Sequence, residues 1–255
     1  MPIGKLVLIG GLDPSLGAGI ALDLRIAQSF PTNAYPLITS FALQTDNHFN
    51  NLIAVTNDQF QGQWAGALKE PVSAIKMGAL GSTKFWQGWI KKIPQIPLVI
   101  DPVLQTSTGG NLCREEDHLT TKDIYQEILF PHATVITPNS KEARFFLEED
   151  PTCSIKIFTQ KLHEKFGCAV LLTGGHEEKI ENILCWNGKT EIIRQKRINK
   201  KNIRGTGCAV STLIAIYLAN GKNIPEAVNL ALENTYQAIE NAQEVSPGVY
   251  HLFYS

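Results

Sequence analysis

Short runs of unbroken apolar residues, each followed by a longer stretch of other character, restrict most strongly how this chain can fold. Lys5 to Ile9 ("KLVLI") opens the series, and "GAGIALDLRIAQSF" (17–30) then places Ile20, Leu24 and Ala27 on one helical face. Comparable runs recur at 35–43, 73–80, 97–101, 133–138 and 168–175. Unbroken apolarity marks strands covered on both faces, and strands alternating with helices mark a mainly parallel sheet. The predicted fold is therefore a three-layer α/β/α domain. One segment departs from the pattern. In "NILCWNGKTEIIRQKRI" (182–198) two strand-like runs flank Asn187-Gly188, a hairpin signal that adds antiparallel strands at one edge. No Ser/Gly-rich linker, repeat or low-complexity tract divides the chain, so 1–255 is read as a single domain.

Charge and cysteine content narrow the function classes. Lys and Arg number 23 against 24 Asp and Glu, a balance that does not suggest nucleic acid as a partner. The apolar run at the N-terminus is too short to span a bilayer and lacks the flanks of a signal peptide, so the expectation is a cytoplasmic protein without a membrane partner. The cysteines, at 113, 153, 168, 185 and 208, are odd in number and form no CxxC pair, which fits a reducing compartment and argues against a structural zinc site.

In a parallel α/β sheet, ligands gather at the carboxyl ends of the strands, and the unusual residues of this chain fall there. "GGLDPSLGAG" (10–19) follows the first strand; Asp101-Pro102, then Thr137-Pro138-Asn139 with Glu142, then Thr173-Gly174-Gly175 follow later ones. The last of these loops is "RGTGC" (204–208), which leads into an apolar helix ending at Asn220-Gly221. Its Gly205-Thr206-Gly207 turn presents free N–H groups at the positive end of a helix dipole, so a phosphate is the leading guest. The scheme is neither a P-loop nor a dinucleotide fingerprint. Gly188-Lys189-Thr190 has Ile183 where a P-loop needs glycine, and Leu22 and Val210 stand where a third glycine would complete GxGxxG. Cys208 sits on the first turn of that helix, where the dipole is expected to lower its pKa. Asn139 and Glu142 also have the spacing of a helix capping box.

These segments carry a resemblance. "IGGLDPSLGAGIALD" (9–23), "FALQT" (41–45), "IKMGAL" (75–80), "VIDPV" (99–103), "VITPNSKEA" (135–143), "VLLTGGH" (170–176) and "RGTGCAVSTLIAIYLANG" (204–221) resemble, in order, the hydroxymethylpyrimidine/phosphomethylpyrimidine kinases of thiamin biosynthesis, within the ribokinase-like superfamily. The resemblance implies a ribokinase-like kinase without a separate lid domain, phosphorylating a hydroxymethylpyrimidine, its monophosphate or both with ATP and Mg²⁺. It further implies a small-molecule substrate and a homodimer. Residue by residue, the N–H groups of Gly205, Gly207 and Cys208 would hold the transferring phosphate, with the Cys208 thiol as general base. Asp101, Asn139 and Glu142 would hold Mg²⁺, directly or through water, as a hard cation requires. Thr173, Thr206, Asn139 and Arg204 would face ATP. Gln44, Asp23, Gly11 and Ala79 would form the pyrimidine pocket, the Gln44 carboxamide matching a ring that offers both a donor and an acceptor.

The chain also departs from the pattern it resembles. Leu16 stands in a loop position usually held by glycine and either narrows the pocket mouth or faces solvent; Ala79 replaces a methionine of the ring pocket. Thr173 replaces a lysine that reaches ATP phosphates, and Arg204 replaces a histidine, a cation that could take over phosphate neutralisation. The second phosphorylation is the step these changes bear on most. The residues leave three readings open: the pyrimidine kinase, a pyridoxal-type kinase of the same branch, and a non-catalytic ligand-binding relative.

Overall fold

The computed structural model of the chain describes residues 4–45, 48–84, 86–106, 109–115, 120–148, 154–174 and 179–254. Cys153, Gly175 and His176 lie outside them. A nine-stranded sheet forms the middle layer. Its strands are β1 (Lys5–Leu12), β2 (Asn33–Gln44), β3 (Phe49–Ala54), β4 (Ala74–Met77), β5 (Leu98–Ile100), β6 (Val135–Ile136), β7 (Ala169–Leu172), β8 (Lys179–Trp186) and β9 (Lys189–Lys196). The spatial order is β9-β8-β7-β6-β5-β4-β1-β2-β3, with β7 through β2 mutually parallel. The chain runs from β1 to β2 on one side and returns to β4 on the other. That reversal opens a crevice beyond the carboxyl ends of β1 and β4, where ligands of such sheets bind.

Side-chain alternation splits the core in two. Val7, Ile9, Ile75, Met77 and Ile100 point toward helices α2 (Asn57–Ala67), α3 (Ser140–Leu147) and α4 (Ile155–Phe166), meeting Phe60, Phe146 and Phe158. Leu6, Leu8, Ala74 and Val99 point the other way, onto α1 (Gly19–Gln28), α5 (Thr206–Ala219) and α6 (Ile224–Glu240). Every residue of α5 from Ala209 to Ile216 is buried, because the sheet, α1 and α6 enclose it. A helix apolar on all sides needs that enclosure.

The hairpin expected around Asn187-Gly188 is β8–β9, and both turn residues adopt positive φ (47° and 70°), the geometry of a tight type I′ turn. Antiparallel strands close both edges of the sheet, not one: β3 pairs with β2 at the far side. Asn50 and Asn51 break the apolar pattern of β3, so it left no periodic signal. The strands expected at 97–101 and 133–138 are shorter than their apolar runs, since Pro97 and Pro138 have no N–H for a ladder. A small sheet that the sequence pattern does not announce joins Ile203–Arg204 to Val249–His251 and Gln243–Ser246. It fixes the approach to α5. No described helix is long and apolar enough to cross a membrane.

Candidate active site

A cavity of about 960 Å³ opens at the carboxyl ends of the parallel strands. Gly11 lines it at the end of β1, Gln44 at the end of β2, Ala79 just after β4 and Asp101 just after β5. Asn139 and Glu142 reach it from the start of α3, and Thr173 from the end of β7. Arg204 through Cys208 complete the wall at the entry to α5. The loops expected to converge do so around one space.

The entry to α5 is built for close approach. Gly205 is its N-cap with φ 76°, no side chain caps the helix, and the first helical bond runs from Ala209 N–H to Gly205 C=O at 2.8 Å. The N–H groups of Thr206, Gly207 and Cys208 precede that bond and point out of the helix start, so Thr206 takes the place expected for Gly205, which is the N-cap. A Cβ at position 205 would stand 2.3 Å from the Gly17 carbonyl oxygen, so only glycine lets the two loops meet. Uncapped N–H groups at the positive end of a fourteen-residue helix suit an anion.

Beneath this turn lies a buried charge cluster. Lys76, on β4, faces the α1 and α5 side, and its ammonium donates to Asp23 Oδ2 at 2.7 Å; the Thr212 hydroxyl donates to Asp23 Oδ1 at 2.7 Å. Burial works against the charge on Lys76, but Asp23, Cys208 and Asp101 outweigh it and raise its proton affinity. Burial raises the Asp23 pKa while Lys76 and Thr212 pull it back, and the short contact to a lysine that holds its proton fixes the pair as ionic. Asp23 is fully buried and is absent from the cavity wall. The expectation that it meets substrate is therefore corrected: both of its oxygens are committed to the cluster, and it is Lys76 that reaches the cavity.

Cys208 also departs from expectation. Burial pushes its thiol up to about 12, with Lys76 lowering it and Asp101 and Asp23 raising it further; an N–H from Gly19 lowers it slightly. The helix dipole does not outweigh desolvation and two neighbouring carboxylates, so the thiol is neutral near pH 7. It hydrogen-bonds Asp101, whose Oδ2 also accepts the Ser211 hydroxyl at 3.2 Å. Burial holds the Asp101 carboxyl above its usual range, and Lys76 and these hydrogen bonds work against that.

The start of α3 is a complete capping box. Asn139 Oδ1 accepts the N–H groups of Lys141 (2.9 Å) and Glu142 (3.0 Å), and Glu142 Oε2 accepts the Asn139 N–H (2.9 Å). With two donors on its oxygen, Asn139 is not positioned as a metal ligand, which corrects that part of the expectation; its amide NH₂ remains as a donor. Glu142 is different. Burial and then the Asp101 charge lift its pKa to about 8. Two buried carboxylates that repel each other at a cavity wall fit a divalent cation, which would relieve both. No three acidic, His or Cys side chains among the described residues form a metal cluster, so nucleotide phosphates and water would have to complete a magnesium sphere.

The remaining expected residues divide by burial. Gln44 is buried at the cavity wall, and its Oε1 is an acceptor without a hydrogen-bond partner. Ala79 and Gly11 line the same stretch of wall, a Cβ on Gly11 falling 3.6 Å from the Ala79 Cβ. Leu16 faces solvent, 51% exposed at φ 64°. Arg204 lines the cavity but is not a spare cation: it donates to Asp13 Oδ2 and Ser15 Oγ, each at 2.9 Å, and so ties the Gly-rich loop to the α5 entry. Sequence reasoning missed Lys76 as a site residue, although a lysine between Ile75 and Met77 in an unbroken apolar run is itself a signal of a paired, buried charge.

A family model described as phosphomethylpyrimidine kinase matches residues 13–252. The hydroxymethylpyrimidine/phosphomethylpyrimidine kinase of Staphylococcus aureus (strain MSSA476) is 27% identical over 253 residues, covering 94% of this chain and 89% of that protein. A thiamine biosynthetic bifunctional enzyme of Arabidopsis thaliana is 27% identical over 256 residues, 96% of this chain, which spans about half (48%) of the plant protein. Among solved structures, an ADP complex of Bacillus subtilis pyridoxal kinase superposes with a TM-score of 0.86 at 27% identity, covering 98% of this chain and 97% of the other.

Proposed function

The chain belongs to the phosphomethylpyrimidine kinase family, and from that membership we propose that it transfers the γ-phosphoryl group of ATP to the hydroxymethyl oxygen of a hydroxymethylpyrimidine, to its monophosphate, or to both, in thiamin biosynthesis. The observation that carries the reading is one cavity holding a buried, unpartnered carboxamide oxygen on Gln44 and the uncapped start of α5. The first matches a ring amine; the second matches a phosphate.

Phosphoryl transfer asks the protein for position and for charge placed where charge develops. Gln44 holds the ring, accepting from its exocyclic amine and donating to a ring nitrogen. The N–H groups of Thr206, Gly207 and Cys208 receive the transferring group, each such donor worth on the order of 3 kcal/mol in the transition state. Lys76, fixed by Asp23, adds positive charge behind them. As the substrate oxygen bonds phosphorus and the bond to the ADP oxygen breaks, the hydroxyl proton passes to the Cys208 sulfur while the thiol proton moves to Asp101. One proton enters the thiol and one leaves it, so no free thiolate is needed. Glu142, with Asp101 acting only through a bridging water, would hold Mg²⁺, which supplies charge neutralisation to the phosphates. Asn139, Thr173 and Thr206 line the same cavity and would donate to the nucleotide.

Turnover with ATP and, separately, hydroxymethylpyrimidine, its monophosphate and pyridoxal tests the reading. The first or second substrate should be preferred in kcat/KM; preference for pyridoxal would support the second reading, which the likeness to pyridoxal kinase favours, and no turnover with any would favour a non-catalytic relative. Cys208→Ser keeps a relay that both donates and accepts and should retain most activity, whereas Cys208→Ala should lose about 10²-fold or more. Equal loss in the two would reject the relay. The outward face of β2 and β3 leaves Phe41, Leu43 and Ile53 exposed, which supports a homodimer, and a cytoplasmic location is the one this reading expects.

A further inference from the structure

The cavity wall is short of positive charge for the guest it is read to hold. Among the described residues, Asp13, Asp101, Glu115 and Glu142 line it against Lys76, Arg204 and Lys141. Lys76 is held in an ion pair with Asp23 at 2.7 Å, and Arg204 in one with Asp13 at 2.9 Å, both pairs buried and neither cation free to move onto a ligand. Lys141 differs from both. It is exposed, it is the second residue of α3, and no described carboxylate lies within ion-pair distance of its ammonium.

Its position is specific within the wall. Asn139, which accepts the Lys141 N–H, is bridged in parallel register to Thr173 at the next strand end, and the Thr173 N–H donates to Pro138 C=O at 3.2 Å. Neighbouring strands lie about 4.8 Å apart, a gap shorter than the reach of an extended lysine side chain. Lys141 thus shares one cavity wall with Glu142 and with the α5 entry, around the volume where a nucleotide's terminal phosphates would sit. A flexible ammonium is suited to a point contact with phosphate.

We propose that Lys141 is the nucleotide-phosphate lysine of this chain, closing on the terminal phosphates of a nucleoside di- or triphosphate from the start of α3. The inference rests on the kinase reading. Its test reads nucleotide binding directly, by calorimetric titration of the full chain with Mg²⁺·ADP and with a non-hydrolysable ATP analogue, beside steady-state kinetics. Lys141→Ala should weaken both nucleotides by roughly tenfold and raise the KM for ATP alike, with the KM for the hydroxymethyl substrate changed less than twofold; Lys141→Arg should stay near the parent. Thr173→Lys in the Lys141→Ala background should recover most of the lost affinity, because a lysine at the adjacent strand end enters the same volume. Unchanged nucleotide affinity in Lys141→Ala overturns the proposal, as does a loss that Thr173→Lys fails to repair. A parent protein that binds nucleotide but turns over no hydroxymethyl substrate defeats the kinase reading alone, and the binding comparison still decides the role of Lys141; a parent that binds no nucleotide defeats both.

Discussion

Replacing Glu142 with Gln separates the electrostatics of the site from its architecture. Glutamine at N3 of α3 can still accept the Asn139 N–H, so the capping box survives and only the titration is removed. In the parent, the Glu142 carboxyl is lifted from 4.5 to about 8, by burial first and by Asp101 second. A carboxyl that holds its proton more tightly when folded stabilises the fold fully below its unfolded pKa and loses that contribution as pH rises through the folded one. The window is therefore about pH 4.5 to 8. Each pKa unit is worth about 1.4 kcal/mol, so the parent should lose roughly 3 kcal/mol relative to Glu142→Gln between pH 5 and pH 8. Urea unfolding of both proteins at pH 5, 6.5 and 8 in metal-free buffer measures the difference, and titrations common to the two cancel. The parent should match the variant near pH 5 and fall below it at pH 8. Mg²⁺ with nucleotide at pH 8 should narrow the gap, since a cation beside the ionised carboxylate removes its penalty. Parallel stability curves would refute the raised pKa, and a parent gaining on the variant with rising pH would reverse its sign.

Two further outcomes follow from buried geometry. Lys76→Met or Asp23→Asn alone leaves an uncompensated charge in the core and should cost about 3–5 kcal/mol by denaturant unfolding, whereas the double variant should recover most of that; a double variant as unstable as the singles would show that the pair's charge balance is not what matters. Gly205→Ala forces a Cβ to within 2.3 Å of the Gly17 carbonyl at φ 76° and should destabilise by about 2 kcal/mol or more with loss of turnover. Gly188→Ala, at φ 70° with nothing within 4 Å, should cost only about 1 kcal/mol, so equal thermal shifts in the two would reject the close-approach argument.

The sheet was readable because buried parallel strands declare themselves as unbroken apolar runs. The α5 entry was readable because two glycines flanking one residue, directly before an apolar helix, are what a tight turn with exposed N–H groups requires. What escaped the sequence was what depends on partners. Asp23 lies on α1 where the family resemblance implies a pocket residue, yet Lys76 and Thr212, 53 and 189 positions away in sequence, turn it inward. Cys208 stands at a helix start, which by itself predicts an acidic thiol, and only the assembled site brings the burial and carboxylates that reverse the sign. Arg204 reads as a spare cation until Asp13 is placed beside it. Local sequence carries backbone geometry well and carries the net charge of a cluster poorly, because Coulomb terms between distant segments decide the latter.

The two buried ion pairs explain why this site retains charge where apolar packing would serve stability as well. Lys76–Asp23, with Thr212, links β4 to α1 and α5; Arg204–Asp13 links the approach to α5 with the loop after β1. Both pins fix the helix start against the Gly-rich loop, the contact that Gly205 and Gly17 make at the backbone. An apolar replacement of either pair could be neutral or even stabilising, but it would strip the cavity of fixed positive charge. Lys76 lowers the proton affinity of both Asp101 and Cys208, so its charge is felt where a phosphoryl group would arrive. Asp23 holds that ammonium in place before any ligand binds. Charge fixed in advance needs little reorganisation during the reaction, which is the condition under which electrostatic stabilisation of a transition state is largest.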